Sequence, residues 1–186
     1  MSGGAVNVAN FVTLARLLSV PAMVWLILSD RLDWAFWLFV AAGLSDAIDG
    51  YIAKRFDQRS QLGALLDPIA DKTLLVSMYV TLGMASRLPN WLVIVVVFRD
   101  LFIVGGFLLA TVTTQPLDMK PLAVSKLNTA LQIILIAVLL AKLGLGIPDF
   151  GIVEILIYTV GVTTILSGLG YIVRWMRGST RTEIKP

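Results

Sequence analysis

The chain has 186 residues, of which 58% are hydrophobic and only 15% charged, with a formal net charge of +3 and a mean hydropathy of +0.87. A soluble domain is about half apolar and a quarter charged, so this composition is that of an integral membrane protein and excludes an ordinary soluble enzyme. Cysteine and histidine are both absent, which excludes disulfides, thiolate chemistry and the commonest general base; any metal must be held by oxygen, favouring Mg²⁺, Mn²⁺ or Ca²⁺ over zinc.

Six apolar segments follow one another at about 10–29, 34–54, 61–85, 90–112, 122–143 and 150–175, each close to the roughly 20 residues that cross hydrocarbon. The expected fold is therefore all-α, a single membrane domain of six transmembrane helices over 1–186, with 178–186 a disordered tail. The first ten residues carry no base and the apolar run after them continues as a span, so no cleavable signal peptide is expected.

The first segment opens with Asn10-x2-Thr13-x2-Arg16 and contains Pro21, which predicts a kink. The second ends in Asp46-x2-Asp49-Gly50-x2-Ala53-Lys54-Arg55, and the third begins with Gly63-x3-Asp67-x3-Asp71-Lys72. Acids three and four residues apart share a helical face, and the small residues let a ligand approach the backbone. The fourth segment carries Phe98-Arg99-Asp100. Lys120-Pro121 leads into the fifth, which opens with Ser125-Lys126-Leu127-Asn128-Thr129-Ala130-Leu131-Gln132. Pro89, Pro116, Pro121 and Pro148 fall in or beside the polar breaks, where helices end.

Orientation follows from the bases. One side collects Lys54, Arg55, Arg59, Lys120, Lys126, Arg174, Arg177, Arg181 and Lys185; the other has only Arg31, Arg87 and Lys142. Both termini and the acid-bearing turn are thus expected on the cytoplasmic side, with a polar cavity open to it. The expected setting is a bacterial plasma membrane, with no nucleic-acid partner.

Ionised carboxylates at membrane depth are costly and need a partner. Pairing with Lys54, Arg55, Arg59 and Lys72 is one account, but two same-face pairs with aligned glycines exceed what pairing needs. A cation transporter is another, although both pairs fall in the cytoplasmic half and no second acidic cluster continues a path across. The third is a two-metal phosphoryl-transfer site, in which four carboxylates neutralise two divalent ions that clamp an anionic diphosphate. Gly50, Ala53 and Gly63 would then clear room for the ligand, with Lys54, Arg55 and Arg59 at its mouth.

The pattern from Asp46 to Asp71 resembles the signature of the CDP-alcohol phosphatidyltransferases, D-x2-D-G-x2-A-R-x8-G-x3-D-x3-D. It departs from it only at Lys54, where the family usually has arginine. That resemblance implies six helices with a site facing the cytoplasm. It also implies two divalent cations, Mg²⁺ or Mn²⁺, held by Asp46, Asp49 and Asp67. Asp71 would lie near the second ion and act as base on the acceptor hydroxyl. Gly50, Ala53 and Gly63 would line the CDP pocket, with Lys54 or Arg55 against the phosphates. The implied state is a homodimer, and the implied reaction is attack of an alcohol on a CDP-linked phosphate with loss of CMP.

Arg99-Asp100 and the S-K-x-N-T-A-x-Q run at 125–132 are similar to those of the cardiolipin synthases that use CDP-diacylglycerol. Phosphatidylglycerophosphate synthases usually carry Arg-Glu and a K-x-K-T-x2-Q run, whose second lysine falls where Asn128 stands. One lysine fewer suits phosphatidylglycerol, with its single diester charge, better than dianionic glycerol 3-phosphate. The expected substrates are therefore CDP-diacylglycerol and phosphatidylglycerol, with glycerol 3-phosphate the alternative acceptor. Arg16, Arg99, Lys120, Ser125, Lys126 and Asn128 are the acceptor-side candidates. Each has a plainer reading: an ion-pair network for Arg99-Asp100, polar helix–helix contacts for 125–132, and a snorkelling base for Arg16. Lys72 either aims Asp71 or pairs with another acid. Trp34, Trp37, Trp91 and Trp175 read as interface anchors.

Overall fold

Among the described residues, six α-helices form where the six apolar segments lie: α1 Val8–Leu28, α2 Leu32–Phe56, α3 Gln61–Met84, α4 Asn90–Val112, α5 Ala123–Leu145 and α6 Ile152–Ser179. A computed structural model describes residues 8–56, 61–112 and 123–179, and side chains at 17–45, 72–105 and 123–172. Pro21 lies inside α1, whose helix continues through it. Gly178 and Ser179 belong to α6, so the helix runs two residues into the stretch expected as tail.

The turns explain why the helices stop. Asp30 and Ser86 both adopt φ +56°. Around Asp30, its own amide donates to the Ile27 carbonyl and the Arg31 amide to that of Leu26; around Ser86, the pairs are Ser86 to Gly83 and Arg87 to Leu82. This is the Schellman arrangement, which satisfies the last carbonyls of α1 and α3, with Asp and Ser in the left-handed position that glycine usually takes. Before α6, Asp149 caps the helix by accepting from the Val153 amide at 3.2 Å.

The helices pack as a closed ring in the order α1, α3, α4, α6, α5, α2, with α3 also touching α5 across the middle. Among the described residues, α2 and α3 are consecutive in sequence yet are neighbours of α1 and α5 rather than of each other. At one end of the ring Arg87 bridges to Asp30 at 2.9 Å and Trp91 stacks on Tyr158 with ring centroids 6.1 Å apart. There too Gly144 of α5 lies directly on the backbone of Leu32 and Asp33. That end therefore gathers the 29–31, 85–89 and 146–151 connections, and the helices alternate in direction.

Met23, Ile27, Phe39, Leu82, Leu92, Leu139 and Leu140 fill the core toward this end. The outside is apolar: Trp25, Trp34, Trp37, Ile94, Phe98 and Ile155 are exposed, while Arg99, Asp100, Ser125, Asn128, Gln132, Thr164 and Ser167 are buried. Polar inside and apolar outside is the distribution that lipid, rather than water, would solvate. Ala123–Leu145 and Ile152–Ile172 are long and apolar enough to cross a membrane.

Candidate active site

The acid pairs sit on helical backbone. Asp46 and Asp49 fall in the second half of α2, and Asp67 and Asp71 in the first half of α3. The helical rise separates the first pair by about 4.5 Å and the second by about 6 Å along their axes. Only residues 57–60 join the two helices, which keeps Phe56 and Gln61 within about 18 Å of each other. Gly50, Ala53, Lys54 and Arg55 lie on α2, Gly63 on α3 and Arg16 on α1. The side chains of these residues and of the four aspartates lie outside the described residues, and Lys120 lies outside them altogether. Among the described residues no three His, Cys, Asp or Glu converge as a metal group. As a donor set, four carboxylates in a chain without histidine or cysteine fit hard divalent cations such as Mg²⁺ or Mn²⁺.

Directly after Asp71, Lys72 leads into a buried charged cluster. Its ammonium lies 2.9 Å from Asp100 Oδ1 on α4, and Arg99 Nη1 reaches the same oxygen at 2.6 Å. The other terminal nitrogen of Arg99 donates to Ser125 Oγ at 2.5 Å and to Ser167 Oγ at 2.7 Å. One guanidinium thus joins α4, α5 and α6, and one carboxylate joins α3 to α4. Arg99 is 4% and Asp100 1% exposed, so these are charges out of water that must be paired and hydrogen-bonded. Among the described residues, Arg99 Nε and Asp100 Oδ2 have no partner.

A second polar layer lies one turn further along α5. Asn128 Oδ1 accepts from Thr163 Oγ1 at 2.8 Å and Thr164 Oγ1 at 2.9 Å, both on α6, while its Nδ2 has no partner among the described residues. One turn beyond, Tyr79 donates to the Gln132 backbone carbonyl at 3.4 Å, and the buried Gln132 side-chain amide has no partner among the described residues. Ser125, Asn128 and Gln132, at steps of three and four residues, form a polar stripe about 10 Å long on the inner face of α5. It ends at Leu135, Ile136, Leu139 and Leu140, all buried and apolar.

Of the expected acceptor-side residues, Arg99 and Ser125 meet directly and Asn128 joins α6 below them, whereas Lys126 is exposed. Thr163, Thr164 and Ser167 are contributors that sequence reasoning passed over. Their only signal was a cluster of hydroxyls at helical spacing in an otherwise apolar segment. Lys72 pairs with Asp100, an acid on another helix.

A family model for CDP-alcohol phosphatidyltransferase matches residues 6–176. The chain belongs to the CDP-alcohol phosphatidyltransferase family. The match takes in α1 to α5 and all but the last turn of α6, so both the acid-bearing helices of the chain and its buried polar stripe lie within it. Its relatives include the human cardiolipin synthase (CMP-forming), 32% identical over 181 residues that cover 89% of this chain and 60% of that protein. A Schizosaccharomyces pombe fusion of cardiolipin synthase (CMP-forming) with a mitochondrial hydrolase is 34% identical over 177 residues, 87% of this chain and 30% of that protein. The CDP-diacylglycerol–glycerol-3-phosphate 3-phosphatidyltransferase of Cereibacter sphaeroides is 34% identical over 148 residues, 75% of this chain and 65% of that protein. The chain thus spans less than two thirds of each of these relatives.

Proposed function

We propose that this phosphatidyltransferase acts in phospholipid biosynthesis, moving a phosphatidyl group from CDP-diacylglycerol to phosphatidylglycerol to give cardiolipin and CMP. Six spans with both termini and the acid-bearing turn on the cytoplasmic side, acting as a homodimer, complete the reading; the distribution of bases supports the orientation. In the reaction an acceptor hydroxyl oxygen attacks the phosphatidyl phosphorus, the phosphorus–oxygen bond to CMP breaks, and CMP leaves with the bonding electrons. Asp71 takes the proton of the attacking hydroxyl. Asp46, Asp49, Asp67 and Asp71 would hold two divalent cations, which when bound supply charge neutralisation to the diphosphate and the leaving group. Gly50, Ala53 and Gly63 leave room for the cytidine nucleotide, and Lys54 and Arg55 supply positive charge at its phosphates.

On the acceptor side we propose Ser125, Lys126 and Asn128 with Arg16 and Lys120. Arg99 enters through Ser125, since both of its terminal nitrogens are already committed within the protein. The observation that carries the choice of acceptor is the neutral setting of Asn128, an amide held by two threonine hydroxyls and not a cation suited to a dianionic phosphate. The human relative's name as a cardiolipin synthase supports the same choice.

Glycerol 3-phosphate is the second reading, favoured by the Cereibacter sphaeroides relative. Purified protein given CDP-diacylglycerol with either phosphatidylglycerol or glycerol 3-phosphate decides between them. Cardiolipin from the first and no phosphatidylglycerophosphate from the second is the expected result; the reverse pattern overturns it. A cation pathway is disfavoured by the apolar layer of Leu82, Leu92, Val96, Leu135, Ile136 and Val160, all fully buried, beyond the polar stripe. CMP release from proteoliposomes without ion movement is the expected outcome there.

A further inference from the structure

Asn128 lies wholly inside the bundle, on the α5 face that carries Ser125 one turn before it and Gln132 one turn after. Its amide has two chemically different ends, and the α6 hydroxyls decide which way round it sits. Thr164, also fully buried, donates to Asn128 Oδ1 at 2.9 Å, and among the described residues that proton has no other acceptor. Thr163 reaches the same oxygen at 2.8 Å, but its single proton can equally go to the carbonyls of Thr159 at 2.9 Å or Val160 at 3.2 Å. Turning the amide over would face Nδ2 to Thr164 and strand a buried hydroxyl proton without an acceptor. Thr164 rather than Thr163 therefore fixes the amide.

The consequence falls at the other end of Asn128. With Oδ1 turned to α6, the two N–H groups of Nδ2 face away from that helix, buried and with no partner among the described residues. Folding gains nothing from a donor pair kept in that state. Two neutral donors suit an oxygen of a phospholipid headgroup, whether a hydroxyl or one sharing a single diester charge. We propose that Thr164 is a positioning residue for the acceptor: it holds Asn128 Oδ1 against α6 and so presents the Nδ2 donors to an oxygen of the acceptor headgroup. This role rests on the reading above that places Asn128 on the acceptor side, and it names what sets the polarity Asn128 shows there. A hydroxyl that merely joined α5 to α6 would change stability alone. A positioning hydroxyl acts on the acceptor, and only through Asn128.

The test is cardiolipin formation by the purified full chain in mixed micelles, varying phosphatidylglycerol at saturating CDP-diacylglycerol and then the reverse. Thr164→Val keeps the shape and removes the proton. It is expected to raise half-saturating phosphatidylglycerol about three- to tenfold, the worth of one neutral hydrogen bond. The kcat and the half-saturating CDP-diacylglycerol should stay within about twofold of the wild type. Thr164→Ser, which keeps the hydroxyl, should match the wild type. In Asn128→Ala there is no amide left to orient, so Asn128→Ala/Thr164→Val should need no more phosphatidylglycerol than Asn128→Ala alone. Should Thr164→Val fail to fold, Thr164→Ala carries the comparison. Equal losses for the two substrates, or a double variant weaker than Asn128→Ala, overturn the proposal. No cardiolipin from the wild type overturns the choice of acceptor and this role with it. An ordinary phosphatidylglycerol dependence in Asn128→Ala removes Asn128 from the acceptor side and Thr164 with it. A rise in Asn128→Ala that Thr164→Val does not share overturns the role of Thr164 alone.

Discussion

Arg99 on α4 donates to the hydroxyl of Ser125 on α5 at 2.5 Å. The fork geometry of a guanidinium is what allows one side chain to serve this hydroxyl, Ser167 and Asp100 together. Arg99→Lys keeps the charge but cannot reach all three, and it leaves a buried carboxylate incompletely paired. The expected loss is about 3 kcal/mol, against about 1–2 kcal/mol for Ser125→Ala, which removes one bond to a charged group. Thermal unfolding at fixed lipid composition measures both; an Arg99→Lys protein as stable as the wild type would show that the fork is not needed.

The proposed roles of the aspartates separate kinetically. Asp71→Asn should retain CDP-diacylglycerol binding while turnover falls about 10²- to 10⁴-fold, the range for removing a general base. Asp67→Asn should instead lose its Mg²⁺ or Mn²⁺ dependence together with activity. Substrate binding by equilibrium dialysis beside initial rates over a metal titration tests both. Normal turnover in Asp71→Asn removes that residue from the chemistry.

Gly144 and Gly83 look alike in sequence but differ in what surrounds them. A Cβ on Gly144 would lie 2.5 Å from the Leu32 carbonyl and 2.6 Å from the Asp33 amide nitrogen, whereas on Gly83 it would meet a Val93 methyl at 2.8 Å. Backbone cannot turn aside, and a side chain can shift. Gly144→Ala is therefore expected to cost about 2–3 kcal/mol by forcing α5 off α2, and Gly83→Ala about 1 kcal/mol or less. Equal unfolding temperatures for the two variants would refute this ranking.

At the 146–151 end, the Lys142 ammonium hydrogen-bonded to Asp149 at 3.0 Å, with help from the Val153 amide, holds the Asp149 carboxyl below its ordinary range. A carboxyl whose folded value is depressed stabilises the fold fully above the unfolded value of about 3.9. That contribution drains away as pH falls through the lower folded value. Asp149→Asn keeps an acceptor for the α6 cap but not the charge. Its unfolding temperature should consequently fall less steeply than the wild type's as pH drops below about 4. Parallel curves would exclude the ion pair as the cause.

Helix positions were nearly all legible, because each apolar run approximates the length that hydrocarbon demands. The α3 and α4 limits fell within one residue of expectation where Pro89 and the Ser86 turn mark them; α6 runs on to Ser179, since Arg174 to Arg177 holds no breaker and Gly178 comes only at its end. The charged pair Arg99-Asp100 also stood out. Its partners did not, since Ser125, Ser167 and Lys72 become neighbours of Arg99 and Asp100 only through the ring order, which no local pattern encodes. The same holds for Asn128, whose spacing announced an inward face but not the two α6 threonines that meet it.

The apolar layer that ends the polar stripe divides the bundle into two regions with different tolerance for change. Beyond it, packed Leu, Ile and Val side chains supply folding stability independent of what is bound at the other end. On the proposed acceptor reading, substitutions around Asn128 and Thr164 would alter which alcohol is accepted without eroding the packing beneath them. Under that reading the separation confers evolvability: acceptor choice could drift in one half of the bundle while the packing of the other half is left untouched.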